Sequence, residues 1–177
     1  MMAEFVSGAM PVCIPECIIE RHSRRTLGVM IWGAIAYHGR SQLLRIVGNL
    51  NSTRYINEVL QPQAIPFQQG LPGAVFQQDN PHPHVAKTVK SYLDSQQVRL
   101  LPWPAYSPDM SPIEHVWDIV GRRLARDLRP VVSTDELWLR IQTIWNTLTQ
   151  ADIQNLFNSM PRRVAALIAA RGSHTKY

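Results

Sequence analysis

Two acidic side chains stand where a carboxylate could do chemistry. The run Ala74-Val75-Phe76-Gln77-Gln78-Asp79-Asn80 is apolar until it stops on Asp79. The run Tyr106-Ser107-Pro108-Asp109-Met110-Ser111-Pro112-Ile113-Glu114-His115-Val116-Trp117 opens a helix with Glu114 near its start. A strand ending on one acid and a helix beginning with another bring both to the rim of an open α/β sheet, where ligands usually bind. Hard oxygen donors held there suit a divalent cation.

Each acid also has a structural explanation. Asp79, followed by Asn80, is a strand-ending turn former. Glu114 is the third helical residue after Ser111, the place from which a capping-box glutamate bonds back to the cap. Helix N-termini carry unpaired N–H groups and the positive end of the dipole, so they favour the ionised carboxylate that a metal ligand requires. His82 and His84 alternate in the Pro-rich loop after Asp79 and are either surface residues or rim ligands. Asp109 and Asp118 are ordinary surface acids or substitute ligands. Arg122, Arg123, Arg126 and Arg129 form a solvated face or a phosphate-binding one. The tryptophans fall at helical spacing and are expected in the core, not as platforms for bases.

Composition frames these candidates. A chain of 177 residues is one domain with a sizeable core, and 45% hydrophobic with 18% charged residues is globular. The net charge of +5 favours a polyanionic partner without identifying one. Cys13 and Cys17 lack the further ligands that zinc needs and are expected to be free thiols in a reducing compartment. The longest apolar run, Val29 to Ala36, is too short to span a bilayer, and no secretory signal is evident. Asn51-Ser52-Thr53 spells a glycosylation sequon but is expected to be a helix start.

The elements that must position the acids follow from pattern. Residues 1–20 are expected to be irregular, with a short strand near Cys17-Ile18-Ile19. Val29 to Tyr37 is strand-like with Gly33 as a weak point, and a turn at 38–41 joins it to a second strand, Gln42 to Val47, as a hairpin. Ser52 or Thr53 caps a helix bearing Tyr55, Ile56, Val59 and Leu60, which the prolines and glycines from Pro62 to Gly73 break up. Ala74 to Gln78 is a strand buried on both faces. A helix with Val85, Val89, Tyr92 and Leu93 follows, then a strand at Val98 to Trp103, so the two strands are parallel. Ser111-Pro112 starts a helix with Ile113, Val116, Trp117, Val120 and Leu124 inside. Ser133 with Glu136 starts another, and a last helix, from about Ala151 to Ala170, is expected to be kinked or split at Pro161.

At these residues the sequence resembles the catalytic domain of mariner/Tc-type DNA transposases. The matching motifs are Val75-Phe76-Gln77-Gln78-Asp79-Asn80, Pro83-His84, and Ser107 through Trp117, with Trp32-Gly33 in the first strand. The 34 residues from 80 to 113 that separate Asp79 from Glu114 are a gap many members of that family show. The likeness runs from about Cys17 to Tyr177, with a catalytic domain assigned to 21–177. It implies a ribonuclease-H-like α/β fold, a mixed sheet flanked by helices. It also implies an Asp, Asp, Glu triad that holds two Mg²⁺ or Mn²⁺ ions and carries out phosphodiester cleavage and strand transfer. Asp79 would be the second acid and Glu114 the third, both catalytic and both metal ligands. DNA is the implied partner, with Arg122, Arg123, Arg126 and His84 as contacts, a homodimer as a candidate assembly and the nucleus as location. No membrane and no small-molecule substrate are expected.

The sequence departs from the family pattern in three ways. No acid before Val29, among Glu4, Glu16 and Glu20, sits in a motif like the strand end that carries the family's first Asp. The sheet is therefore expected to lack its first, central strand unless residues 4–19 supply a substitute. The helix-turn-helix region with which relatives grip transposon ends is expected to be absent. Pro81-His82 also stands where relatives often carry Ala-Arg. With two of three acids, metal binding is expected to be weak or single-site. The implied activity is transposition and integration of DNA, impaired in this chain alone. The alternative is a non-catalytic module that binds nucleic acid or protein.

Overall fold

The computed structural model describes residues 4–13 and 82 by their backbone and residues 27–78, 83–103 and 110–171 in full. Five strands form one sheet: β1 (Glu4–Cys13), β2 (Gly28–Ala36), β3 (Gly39–Arg40), β4 (Leu44–Ile46) and β5 (Val75–Gln77). Their order is β3-β2-β1-β5, with β4 also paired to β2. β1 runs antiparallel to β2 from Phe5↔Ala36 to Cys13↔Gly28, and parallel to β5 from Glu4↔Val75 to Val6↔Gln77.

This placement corrects two expectations. Residues 4–13 are a strand, not irregular chain, and the central position of the sheet is occupied. The reason is that ladder hydrogen bonds use backbone groups alone, so any chain of suitable length can satisfy the edges of β2 and β5. The short strand expected near Cys17 lies outside the described residues.

β2 shows why the sheet has helices on both faces. Its alternate residues Val29, Ile31 and Ile35 join one buried cluster, while Trp32, Ala34 and Ala36 join another. The first cluster is closed by α5 (Pro112–Ala125), α6 (Thr134–Thr147) and α7 (Gln150–Ala169). The second is closed by a helical run from Ser52 to Gln69 and by α4 (Lys87–Ser95), which follows the single-turn α3 (His82–Val85). Gly33 is not a weak point. A Cβ there would lie 2.8 Å from Leu43 Cδ2 and 3.1 Å from the rings of both Trp117 and Trp145, so the absent side chain lets two stacked indoles reach the sheet.

Several local expectations change with the tertiary setting. The helix after residue 50 is capped by Asn51, whose Oδ1 accepts from the Arg54 N–H at 2.9 Å, and not by Ser52 or Thr53. It continues past Pro62: α1 (Ser52–Arg54), a π-helical stretch (Tyr55–Ala64) and α2 (Ile65–Gln69) follow without a break. Tyr55, Val59, Leu60 and Ala64 are all buried along this run, and that packing outweighs the proline's missing donor. Likewise α7 is not split at Pro161, which lies on an exposed part of the helix. Its start is a full capping box between Thr149 and Asp152. The segment from Val98 to Trp103 contributes one parallel bridge, Phe76↔Leu100, and not a strand. At α6, Ser133 caps Glu136 N–H at 3.1 Å, but the Glu136 carboxylate accepts from the Val132 N–H.

Candidate functional site

β5 and the start of α5 bring the two acid-bearing motifs together. Val75, Phe76 and Gln77 are all buried, because β1 lies on one side of β5 and the bridge through Leu100 on the other. Alternation sends Phe76 into the cluster under α4 and leaves Gln77 on the side of α5. There the Gln77 amide donates to the Ser111 hydroxyl at 3.2 Å, with both residues buried. Gln77 lies two residues before Asp79 and Ser111 three before Glu114. This bond therefore ties the end of one acid-bearing element to the start of the other.

It also bears on the capping-box explanation of Glu114. Ser111 is the N-cap of α5 by backbone conformation, but its side chain makes no cap hydrogen bond. The reciprocal arrangement that would account for a glutamate at the third position is not formed. Glu114 sits half-buried in the first turn. Beside it, His115 contacts the buried guanidinium of Arg163 from α7, which also reaches the Met160 sulfur at 3.8 Å. α7 is thereby anchored next to the acid.

Gln78, the residue before Asp79, is fixed on the opposite face. Tyr55 Oη donates to its Oε1 at 3.0 Å, and its Nε2 donates to the His84 carbonyl at 3.1 Å. The His84 ring stacks on Tyr55 with centroids 4.1 Å apart. His84, expected as a DNA contact, is only 2% exposed. Asp79 and Asp109 lie outside the described residues, as does the side chain of His82.

The other expected contacts separate along α5. Arg126 is exposed at the helix end, and Arg122 is exposed but paired with Asp118 at 2.8 Å. That pairing makes Asp118 an ion-pair partner in this structure. Arg123 lies 3.4 Å from the Thr147 hydroxyl and 3.7 Å from Asp152, and joins α5 to the α6–α7 junction. Arg129 is paired with Asp127 at 2.6 Å.

The donor set can be tested against a divalent-metal site through β1. Beyond the last β1–β5 pair, Val6↔Gln77, β1 continues as Ser7-Gly8-Ala9-Met10-Pro11-Val12-Cys13, without a carboxylate. Its one acid, Glu4, pairs with Val75, four residues before position 79 and so about 13 Å back along a strand. Among the described residues no three His, Cys, Asp or Glu side chains converge. Two carboxylates would suit one hard cation completed by water.

Sequence motifs pointed to Asp79 and Glu114 but missed the side chains that hold their elements: Gln77, Ser111, Gln78, Tyr55 and Arg163. The paired glutamines at an apolar strand end were the available signal, since buried amides must find partners.

The fold is ribonuclease-H-like, a mixed sheet with helices on both faces. The chain belongs to the DDE superfamily endonuclease family, whose pattern it matches over residues 15–137. It is 36% identical over 165 residues to the Tcb1 transposase of Caenorhabditis briggsae, covering 92% of this chain and 58% of that protein. The Tc1 transposase of Caenorhabditis elegans matches to the same extent. The chain thus spans just over half the length of these relatives. Among solved structures, the Mos1 strand transfer complex superposes with a TM-score of 0.80 at 18% identity, covering 98% of this chain and 56% of that one. The Mos1 transposase catalytic domain solved with raltegravir and Mn gives a TM-score of 0.73 at 19% identity, covering 97% of this chain and 84% of that one. No helix among the described residues is long and apolar enough to cross a membrane.

Proposed function

We propose that this chain is a transposase catalytic domain that binds DNA in the nucleus and holds one Mg²⁺ or Mn²⁺ weakly between Asp79 and Glu114. By itself it is impaired in phosphodiester cleavage. The observation that carries this reading is the central strand: β1 fills the place between β2 and β5 but brings no carboxylate past Val6. A bound divalent cation would polarise a phosphate oxygen. The protein's own contribution is to fix the two acid-bearing elements against each other through Gln77 and Ser111. Arg126, and Arg122 once released from Asp118, supply charge for phosphate contact. A homodimer is the proposed assembly, and no small-molecule substrate is assigned.

A supercoiled-plasmid nicking assay with Mn²⁺, beside Asp79→Ala and Glu114→Ala, tests the impairment. Little or no nicking is expected in all three proteins; vigorous nicking lost in both variants would overturn it. Mn²⁺ binding followed by electron paramagnetic resonance should show one weak site, lost in either variant. Anisotropy titrations with duplex DNA should give a salt-dependent affinity whose slope falls by about one on replacing Arg126 with Gln.

That test also separates the second reading, a DNA-binding module without chemistry, which the exposed end of α5 favours. Salt-dependent binding with no Mn²⁺ site in the resonance experiment would select it.

A further inference from the structure

α7 buries an arginine and exposes the valine beside it. Its inner stripe begins with Ile153, Leu156 and Phe157, which belong to or pack on the first buried cluster. Farther along the helix the inner position is Arg163, 3% exposed, while Val164 is 41% exposed. A helix turned by one residue, about 100°, would bury Val164 instead, as hydrophobicity alone dictates. Charged side chains are rarely buried whole unless paired, so a polar partner sets this rotation. That partner is His115 on α5. Arg163 Nη2 donates to the His115 Nε2, and Nη1 reaches the Met160 sulfur at 3.8 Å.

A guanidinium carries donors only, so the Nε2 that faces it holds the ring's lone pair and the ring proton is on Nδ1. Nδ1 is the nitrogen nearer the main chain, and helical side chains lean toward the helix start. The same first turn holds Glu114, the residue before His115. We infer that Arg163 is a positioning residue for the cation site: acting through His115, it fixes the first turn of α5 and with it the direction in which Glu114 is presented. The inference rests on the cation reading above and names what holds the helix-borne ligand. The Gln77–Ser111 bond ties the start of α5 to β5 on one side, and the Arg163–His115 bond ties it to α7 on the other. Groups that hold a metal ligand in place from behind typically change metal affinity about 10–100-fold when removed. Charge alone works in the opposite direction, since a fixed cation repels a dication. The role assigned to Arg163 is therefore its hold on His115, and changing His115 with Arg163 left in place separates that hold from the charge.

The test uses the full 177-residue chain and Mn²⁺ alone, with affinity read by electron paramagnetic resonance and folding by circular dichroism. His115→Leu removes the acceptor but keeps the Arg163 charge, and should weaken Mn²⁺ binding about tenfold. His115→Gln restores an acceptor oxygen at the reach of Nε2 and should bind Mn²⁺ within about threefold of the parent. Adding Arg163→Met to His115→Leu should weaken binding no further, because the two residues act as one unit. A nitrogen-15 spectrum of the histidine rings should show His115 protonated at Nδ1 in the parent and a mixture of ring forms in Arg163→Met. Mn²⁺ affinity unchanged or raised in folded His115→Leu would overturn the inference, as would His115 ring signals unmoved in Arg163→Met. Should His115→Leu fail to fold, the ring spectrum of Arg163→Met decides by itself. A parent protein that binds no Mn²⁺ would instead overturn the cation site on which the inference rests, and the inference with it.

Discussion

β1 and β5 lie side by side in the sheet, parallel over three residue pairs, and they have diverged in what they keep. β5 is three buried residues followed by Gln78 and Asp79, with both glutamines fixed to neighbours. β1 is ten residues long, pairs with β2 over nearly its whole length, and offers no acid at the end that runs past β5. One strand leads in sequence to a carboxylate, the other supplies backbone alone. The difference shows that the two requirements are separable. Ladder hydrogen bonds tolerate almost any side chain, whereas a metal site needs a carboxylate at one register position.

The strongest way to break this comparison is to give β1 the missing group. Two residues past Val6↔Gln77 the count along the chains reaches Gly8 and Asp79, and Gly8 pairs with Gly33 of β2. Gly8→Asp is expected to raise Mn²⁺-dependent nicking by about 100-fold, with the gain abolished by adding Asp79→Ala. A correctly folded Gly8→Asp protein with no gain would show that more than one carboxylate separates the two strands.

The next test concerns how closely the sheet meets α5 and α6. Gly33→Ala places a Cβ 2.8 Å from Leu43 Cδ2 and against two indole rings, and should cost about 1–3 kcal/mol in urea unfolding, with a changed near-ultraviolet spectrum from Trp117 and Trp145.

Ser111→Ala removes one buried hydrogen bond of the Gln77 amide, at a cost of about 1–3 kcal/mol. Because the bond joins the two acid-bearing elements, Mn²⁺ affinity should fall as well. A stability loss with unchanged Mn²⁺ binding would reduce the bond to packing.

The smallest expected effect lies far from either strand. The Glu136 carboxyl is held below its usual range, first by the Val132 N–H and then by Arg140, and Asp127 is held well below its range by Arg129. A lowered folded-state value adds stability above the unfolded value of about 4 and loses it as pH falls toward the folded one. Glu136→Gln should therefore make acid unfolding between about pH 4 and pH 2 shallower, read by circular dichroism, without altering stability trends above pH 6.

How far the candidate site was legible follows from the same physics. The helix starts at Pro112 and Thr134 and the buried faces of α5 and α6 were readable, because capping and the 3.6-residue period are local. The helix over Ser52 to Gln69 was read short at Pro62, because its continuation depends on Tyr55, Val59, Leu60 and Ala64 finding a sheet to pack on. For His84 the sequence leaves a surface place and a ligand or DNA contact open, and the stacking on Tyr55 that buries it joins residues 29 apart in the chain.

By itself the sequence determined where two carboxylates fall, at an apolar strand end and a helix start, and that no acid before Val29 sits in a matching strand-end motif. Only the tertiary structure decided that residues 4–13 occupy the centre of the sheet and that Gln77 and Ser111 join the two acid-bearing elements. Each of these depends on groups far apart in the chain meeting across a sheet. Local side-chain preferences do not encode such meetings, and backbone pairing, being nearly blind to side-chain identity, leaves little trace of them in the residues themselves.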